Sequence, residues 1–216
     1  MHQVKPLPQY LVQRFHGWKA TGYVENRVWL KRLAEDGQRP RAMVIACCDS
    51  RVHVTSIFGA DEGEFFIHRN IANLVPPCKP DGEHHGTSAA IEFAVTELRV
   101  AHLIVLGHAG CGGVKGCHDM CAGHAPRLED RSSFVGRWMD ILRPGYDRVK
   151  DVAEDKARLE ALEKQAVVVS LENLLTYPFV KQALDEFALS LHGLWVNVGA
   201  GGLEQYEPKG GTFSPL

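Results

Sequence analysis

Apolar and polar positions follow two patterns along the chain, one typical of buried strands and the other of helices. Short apolar runs predict strands over residues 42–46, 63–68, 103–106 and 194–198. Helical spacing predicts helices over residues 12–33, 86–98, 113–120, 147–164, 166–175 and 178–189. The charge-rich segment 147–164 indicates an exposed helix, and the polar segment 121–131 indicates a surface loop. We expect the glycine-rich tail from residue 199 to form a hairpin or an interface arm.

The order of these elements predicts the fold class. Short apolar strands that alternate with helices are typical of an α/β protein with a mostly parallel central sheet flanked by helices. The predicted helix over residues 12–33 precedes the first strand and forms an N-terminal helical arm, about residues 1–38. The chain of 216 residues has the length of one compact unit and shows no low-complexity linker, so residues 1–216 are expected to form a single domain with this arm.

Composition narrows the possible functions. Apolar residues make up 45% of the chain and charged residues 23%, values typical of a soluble globular protein. The formal net charge of -2 provides no basic surface for nucleic acid, and no apolar run approaches the roughly 18 residues that span a membrane. The first residues lack the features of a secretory signal. We therefore expect a cytoplasmic protein whose six cysteines are free thiols or metal ligands.

Two motifs with metal-binding side chains follow predicted strands. CCDSR occupies residues 47–51 after the first strand, and HAGCGG occupies residues 108–113 after the third. Either motif alone is weak evidence, because a cysteine at a strand end is usually a small buried side chain. Ligands gather at the carboxyl ends of parallel strands, where both motifs lie. Cys47, His108 and Cys111 would offer two sulfurs and one nitrogen, a set that suits zinc and leaves a fourth position open.

Charged residues beside the first motif strengthen this interpretation. Asp49 and Arg51 follow a buried strand, where ionised groups are costly unless they pair or bind metal. The alternative is that the two residues only brace the loop. Cys48 is expected to point away from the metal, since neighbouring strand residues face opposite sides. The cysteines and histidines of residues 117–124 fit no metal-binding spacing, and we expect free thiols there.

The motifs resemble those of the beta class of carbonic anhydrases. The similarity runs from about residue 42 to residue 198 and includes four segments in matching order: CCDSR at 47–51, HRNIAN at 68–73, GTSAAIEFAV at 86–95 and GHAGCGG at 107–113. The resemblance implies one zinc ion per subunit, bound by Cys47, His108 and Cys111. It also implies reversible hydration of carbon dioxide to bicarbonate by hydroxide on the metal, and assembly into a homodimer or homotetramer.

The resemblance assigns further roles around the metal. Asp49 is either the residue that orients the hydroxide, held by Arg51, or a fourth metal ligand. The N–H of Gly112 would bind a substrate oxygen. Phe93 would line the pocket, or else it is only a core residue of its helix. Where family members carry a glutamine that polarises the substrate, our alignment has Asp61, which puts that contact in doubt.

Other functions remain open at this stage. The same scaffold could hydrolyse a related small molecule such as carbon disulfide or carbonyl sulfide, or could serve as a zinc-containing sensor of bicarbonate or carbon dioxide without turnover. The presence of both Asp49 and Arg51 disfavours the sensor. A thiol redox protein is disfavoured because the sequence has no C-x-x-C motif.

Overall fold

A computed structural model describes residues 4–81 and 85–216 of the chain. The chain divides into two compact units, residues 1–39 and residues 40–216. The first unit contains two helices, α1 (Gln9–Ala20) and α2 (Gly22–Asp36), and neither helix buries any of its residues. The break between them is at Thr21, whose hydroxyl donates a hydrogen bond to the Gly17 carbonyl (3.0 Å). The predicted helix over residues 12–33 is therefore two helices that together extend further in both directions.

The second unit is built on a six-stranded sheet. Its order is β2-β1-β3-β4-β5-β6, and the strands are β1 (Ala42–Cys47), β2 (Phe65–Asn70), β3 (His102–His108), β4 (Ser190–Asn197), β5 (Gly202–Glu207) and β6 (Thr212–Pro215). The first four strands of this order are parallel, and β5 and β6 are antiparallel. The four predicted strands and the mostly parallel sheet are confirmed, and the glycine-rich tail forms the predicted hairpin.

Helices accompany the sheet as the fold class requires. They are α3 (Val54–Phe58), α4 (His85–Glu92), α5 (Gly112–Cys121), α6 (Pro126–Glu129), α7 (Phe134–Met139), α8 (Arg143–Val149), α9 (Asp155–Leu174) and α10 (Pro178–Asp185). The five residues after α4 continue it as a π-helical turn, Phe93–Glu97. All six residues of β1 are buried, as expected for a central strand covered on both faces.

Helix α9 differs from its prediction in a way that matters for the site. The sequence predicted an exposed helix over residues 147–164 and another over 166–175, but α9 runs without a break from Asp155 to Leu174. Its buried residues include Leu162, Ala166 and Val167, so one face packs into the core. The helix lies close to β3, because a Cβ at Gly107 would be 2.7 Å from Val167 Cγ2. Glycine at this position permits that approach.

The segment predicted as a surface loop, residues 121–131, contains the short helix α6. None of the helices among residues 4–81 and 85–216 is both long enough and apolar enough to cross a membrane.

Candidate metal centre

Three buried side chains from the two motifs meet at the carboxyl edge of the sheet. Cys47 is the last residue of β1, and His108 is the last residue of the adjacent parallel strand β3. Cys111 lies three residues further on, at the N-terminal cap of α5. One donor atom from each residue lies within 4.8 Å of the other two. Their exposed fractions are 4%, 1% and 2%, so water is largely excluded from all three.

The three donors fit a tetrahedral zinc ion. The two sulfurs are 3.9 Å apart and both cysteines are free; sulfurs bound about 2.3 Å from one tetrahedral zinc would be roughly 3.8 Å apart. His108 Nδ1 lies 3.0 Å from the Ala109 carbonyl, which makes it the protonated nitrogen. Its Nε2 is buried and has no hydrogen-bond partner among the described residues. A buried lone pair without a partner is costly, and a metal ion would satisfy it.

Electrostatics in the cluster also favour a cation. The hydrogen bond from Cys111 lowers the pKa of Cys47 to about 4. The same contact, together with burial, raises the pKa of Cys111. Burial lowers the pKa of His108, but the neighbouring Cys47 sulfur and its negative charge outweigh this effect and raise that pKa. Without a cation only one sulfur is charged, and a divalent ion would allow both to be thiolates.

Asp49 and Arg51 form a bidentate ion pair beside the cluster. Arg51 donates from Nε to Asp49 Oδ1 (2.9 Å) and from Nη2 to Oδ2 (2.7 Å), and its backbone N–H also donates to Oδ1 (2.9 Å). These bonds hold the pKa of Asp49 well below its usual range. Arg51 Nη2 also donates to the Gly110 carbonyl (2.9 Å), which ties the pair to the second motif. In the described part of the chain the Asp49 carboxylate therefore pairs with Arg51 and is not one of the three clustered donors.

Hydrogen bonds to the backbone and the sulfur of Cys47 form a part of the site that the sequence did not reveal. Arg69 on β2 donates from Nε to the Cys47 carbonyl (2.9 Å) and from Nη2 to the Asp49 carbonyl (2.7 Å). The N–H groups of Asp49 and Ala72 each lie 3.4 Å from Cys47 Sγ. Ala72 has a φ of 61°, a left-handed conformation that costs energy in a non-glycine residue. These contacts fix the end of β1 and favour a charged sulfur.

Glu163 is the second feature missing from the sequence prediction. It lies on α9 beneath the second motif, and its Oε1 accepts hydrogen bonds from the N–H groups of Gly110 (2.7 Å) and Cys111 (3.1 Å). Its exposed fraction is 7%. Burial raises the pKa of Glu163, and the two backbone N–H groups oppose that rise. A signal existed in the sequence, because Glu163 falls on the apolar face of its helix, beside Leu162 and one turn before Ala166.

The remaining predicted residues are spread over the second unit. Gly112, the first residue of α5, adjoins Cys111, and a Cβ there would meet nothing within 4 Å. Phe93 is 45% exposed and packs on Phe66 with ring centroids 5.9 Å apart. Phe66 lies near the amino end of β2. Asp61 also precedes that end, so the length of β1, about 16 Å, separates it from the cluster. The structure brings neither Phe93 nor Asp61 to the three donors of the same chain.

The cysteines outside the donor group differ in their exposure. Cys48 is exposed, in line with its predicted direction away from the metal donors. Cys117 and Cys121 are free thiols, and residues 117–124 contribute no donor to the three-residue group found in the described part of the chain.

Comparison with known proteins agrees with this geometry. The family model described as carbonic anhydrase matches residues 42–203. Beta carbonic anhydrase 3 of Arabidopsis thaliana is 36% identical over 196 residues, which cover 89% of this chain and 74% of that protein. Among solved structures, the beta-carbonic anhydrase CcaA matches with a TM-score of 0.87 at 27% identity, covering 96% of this chain and 91% of that one. A tetrameric beta-carbonic anhydrase of the filamentous ascomycete Sordaria macrospora matches with a TM-score of 0.77 at 27% identity, covering 95% and 98%. The chain therefore belongs to the carbonic anhydrase family and to its beta class.

Proposed function

We propose that the protein catalyses the reversible hydration of carbon dioxide to bicarbonate and a proton, with one zinc ion per subunit held by Cys47, His108 and Cys111. The observation that carries the proposal is the fit of these donors to zinc: two sulfurs 3.9 Å apart and a buried imidazole nitrogen without a partner in the described structure. Bound there, zinc would leave one coordination position open and would supply the Lewis acidity that makes water acidic.

The chain's own residues orient the reactants. Because the pKa of Asp49 is held low, its carboxylate stays ionised and acts only as a hydrogen-bond acceptor. It accepts the hydrogen of the attacking oxygen and so directs a lone pair toward carbon dioxide. Arg51 fixes that carboxylate through a two-point contact that lysine could not reproduce. Gly112 is the first residue of α5, where the N–H has no partner within the helix, and this N–H donates to a substrate oxygen.

Two other arrangements stay predictions. Asp49 would become a fourth metal ligand if its carboxylate left Arg51. The bidentate pair with Arg51 instead supports the arrangement in which the fourth coordination position stays free of protein ligands. Substrate contacts by Phe93 and Asp61 depend on the family resemblance, since both lie away from the cluster of their own chain.

Assembly and location are further parts of the proposal. We infer a homodimer or homotetramer, a view supported by the tetrameric Sordaria macrospora relative. The arm helices α1 and α2 also expose large apolar side chains, among them Phe15 and Trp18. A cytoplasmic location is supported by six cysteines that are all free.

Metal analysis combined with stopped-flow carbon dioxide hydration tests the proposed reaction. Wild-type protein should contain zinc and turn over carbon dioxide. Asp49→Asn should retain zinc but lose about 100-fold or more in kcat/KM, because asparagine has the shape of aspartate but replaces one orienting acceptor oxygen with an NH2 donor. Asp140→Asn is the matched control, because Asp140 forms an ion pair with Arg143 outside the donor group (2.7 Å). Zinc-loaded wild-type protein without turnover would indicate a sensor and would overturn the proposal.

A further inference from the structure

Glu163 is a buried carboxylate directly beneath the turn that carries Cys111. The close approach of α9 to β3 at Gly107 holds the helix in place, and Glu163 projects from it to the N–H groups of Gly110 and Cys111. An exposed fraction of 7% means that water cannot replace these two bonds easily. A buried carboxylate is retained at a cost in desolvation, and here backbone donors on the metal-binding turn offset it.

The peptide between Gly110 and Cys111 joins Glu163 to the Asp49–Arg51 pair. Its N–H, on Cys111, donates to Glu163 Oε1 (3.1 Å), and its carbonyl, on Gly110, accepts from Arg51 Nη2 (2.9 Å). The two bonds hold opposite edges of one planar group. Gly110 has a φ of 67°, a conformation that lets the turn present both edges. A shift of this peptide would therefore move Cys111 and the anchor of Arg51 together.

We propose that Glu163 is a positioning residue that fixes the Gly110–Cys111 peptide, and through it both the Cys111 sulfur and the orientation of the Asp49–Arg51 pair. The part that concerns Asp49 rests on the proposed hydration reaction. The part that concerns Cys111 does not, because it is a statement about metal affinity. Glu163 acts as a hydrogen-bond acceptor in this role, and its negative charge is not required.

Zinc affinity, measured by competition with a chelator, tests the role of the acceptor. Glu163→Leu removes the acceptor and leaves two buried N–H groups without a partner, so zinc affinity should fall about 10- to 100-fold. Glu163→Gln keeps an oxygen acceptor of the same reach and should remain within about threefold of wild type. Glu172→Leu is the matched control on α9, because Glu172 pairs with Arg148 at the surface and should leave zinc affinity unchanged.

A double-mutant cycle with Arg51→Met tests transmission through the peptide. If Glu163 acts through Arg51, Glu163→Leu should lower kcat/KM of the zinc-loaded enzyme strongly in the wild-type background and only weakly once Arg51 is absent. If Glu163 only stabilises the fold, the two effects should multiply, which would overturn the proposal. The same cycle can be measured as zinc affinity. An inactive wild-type protein would therefore refute the hydration reaction and still leave the inference on Glu163 testable.

A third substitution covers the case in which Glu163→Leu does not fold. Glu163→Asp keeps the charge but withdraws the oxygens by one methylene, so it should lose zinc affinity about tenfold while Glu163→Gln retains it. The opposite order, in which Glu163→Asp binds zinc almost as tightly as wild type and Glu163→Gln binds it weakly, would show that the negative charge is required and would overturn the proposal. Equal zinc affinity for wild type and all folded variants would overturn it as well.

Discussion

Removal of the metal should leave Cys47 ionised in the folded protein. Four neighbours lower its pKa: Cys111, which donates a hydrogen bond to its sulfur, the adjacent imidazole of His108, and the N–H groups of Asp49 and Ala72. Burial opposes them and is outweighed. With a pKa of about 4, Cys47 is ionised at pH 7 in all but roughly one molecule in a thousand. An unperturbed thiol would be ionised in only about 3% of molecules at that pH.

The sign of the stability effect follows from the same shift. The folded-state pKa of Cys47 is depressed below its unfolded value, so this cysteine contributes stability above the unfolded pKa. That contribution is lost as pH falls from about 8.5 toward about 4. Cys111 has the opposite shift, and it destabilises the metal-free protein above its unfolded pKa, near 8.5. Through these two thiols the metal-free protein should therefore be most stable near pH 8.5 and lose stability on both sides of that pH.

Thiolate absorbance of the metal-free protein, followed from pH 8 down to pH 3, measures this prediction. A single thiolate should persist below pH 6 in wild type, and Cys47→Ser should lack it. Because Cys47 is already ionised, zinc binding should release one proton from sulfur, that of Cys111, detectable by calorimetry in buffers of different ionisation enthalpy. Absorbance that disappears by pH 7 in both proteins would refute the reasoning, since Cys47 would then titrate as an ordinary thiol.

Three further predictions concern the ion pair, a packed glycine and the metal. Arg51→Lys keeps the charge but loses the two-point contact with Asp49, so kcat/KM should fall roughly tenfold with zinc content unchanged; full activity would show that the fork geometry is unnecessary. Gly113→Ala places a Cβ 2.6 Å from Ile71 Cγ2 and should cost about 1–3 kcal/mol in urea unfolding, whereas Gly112→Ala meets open space and should change stability by less than about 1 kcal/mol. Chelation should lower the thermal unfolding midpoint, because free zinc at about 100 times its dissociation constant stabilises the folded state by roughly 2.7 kcal/mol; an unchanged midpoint would mean that the ion does not bind the folded chain.

The sheet and the donor set could be predicted because their signals are local. The central strands β1 and β3 are almost wholly buried and read as apolar runs, and ligands gather where such parallel strands end. Cys47 and His108 occupy the last positions of β1 and β3, so motif and strand together placed them at one edge. The closing hairpin was foreseen for a similar reason, since glycines interrupt the apolar pattern there.

The supporting contacts could not be predicted because they join residues distant in sequence. Glu163 is 52 residues from Cys111, and its neighbouring charges suggested an exposed helix until α9 proved continuous and half-buried. Arg69 binds carbonyl oxygens, which no sequence motif records. Alignment to the family assigned Asp61 to a substrate contact. The structure places this residue before β2, at the amino edge of the sheet, and the alignment gave no information on which edge of the sheet it would occupy.

Zinc coordination in the purified protein is the most direct test of the central claim. X-ray absorption at the zinc edge, with metal content determined on the same sample, should give one zinc per chain bound by two sulfurs, one imidazole nitrogen and one light atom, as the cluster of Cys47, His108 and Cys111 requires. Cys111→Ser should lose the metal or one sulfur from this shell. A protein purified without zinc that also fails to take it up, or a zinc ion without sulfur neighbours, would contradict the account.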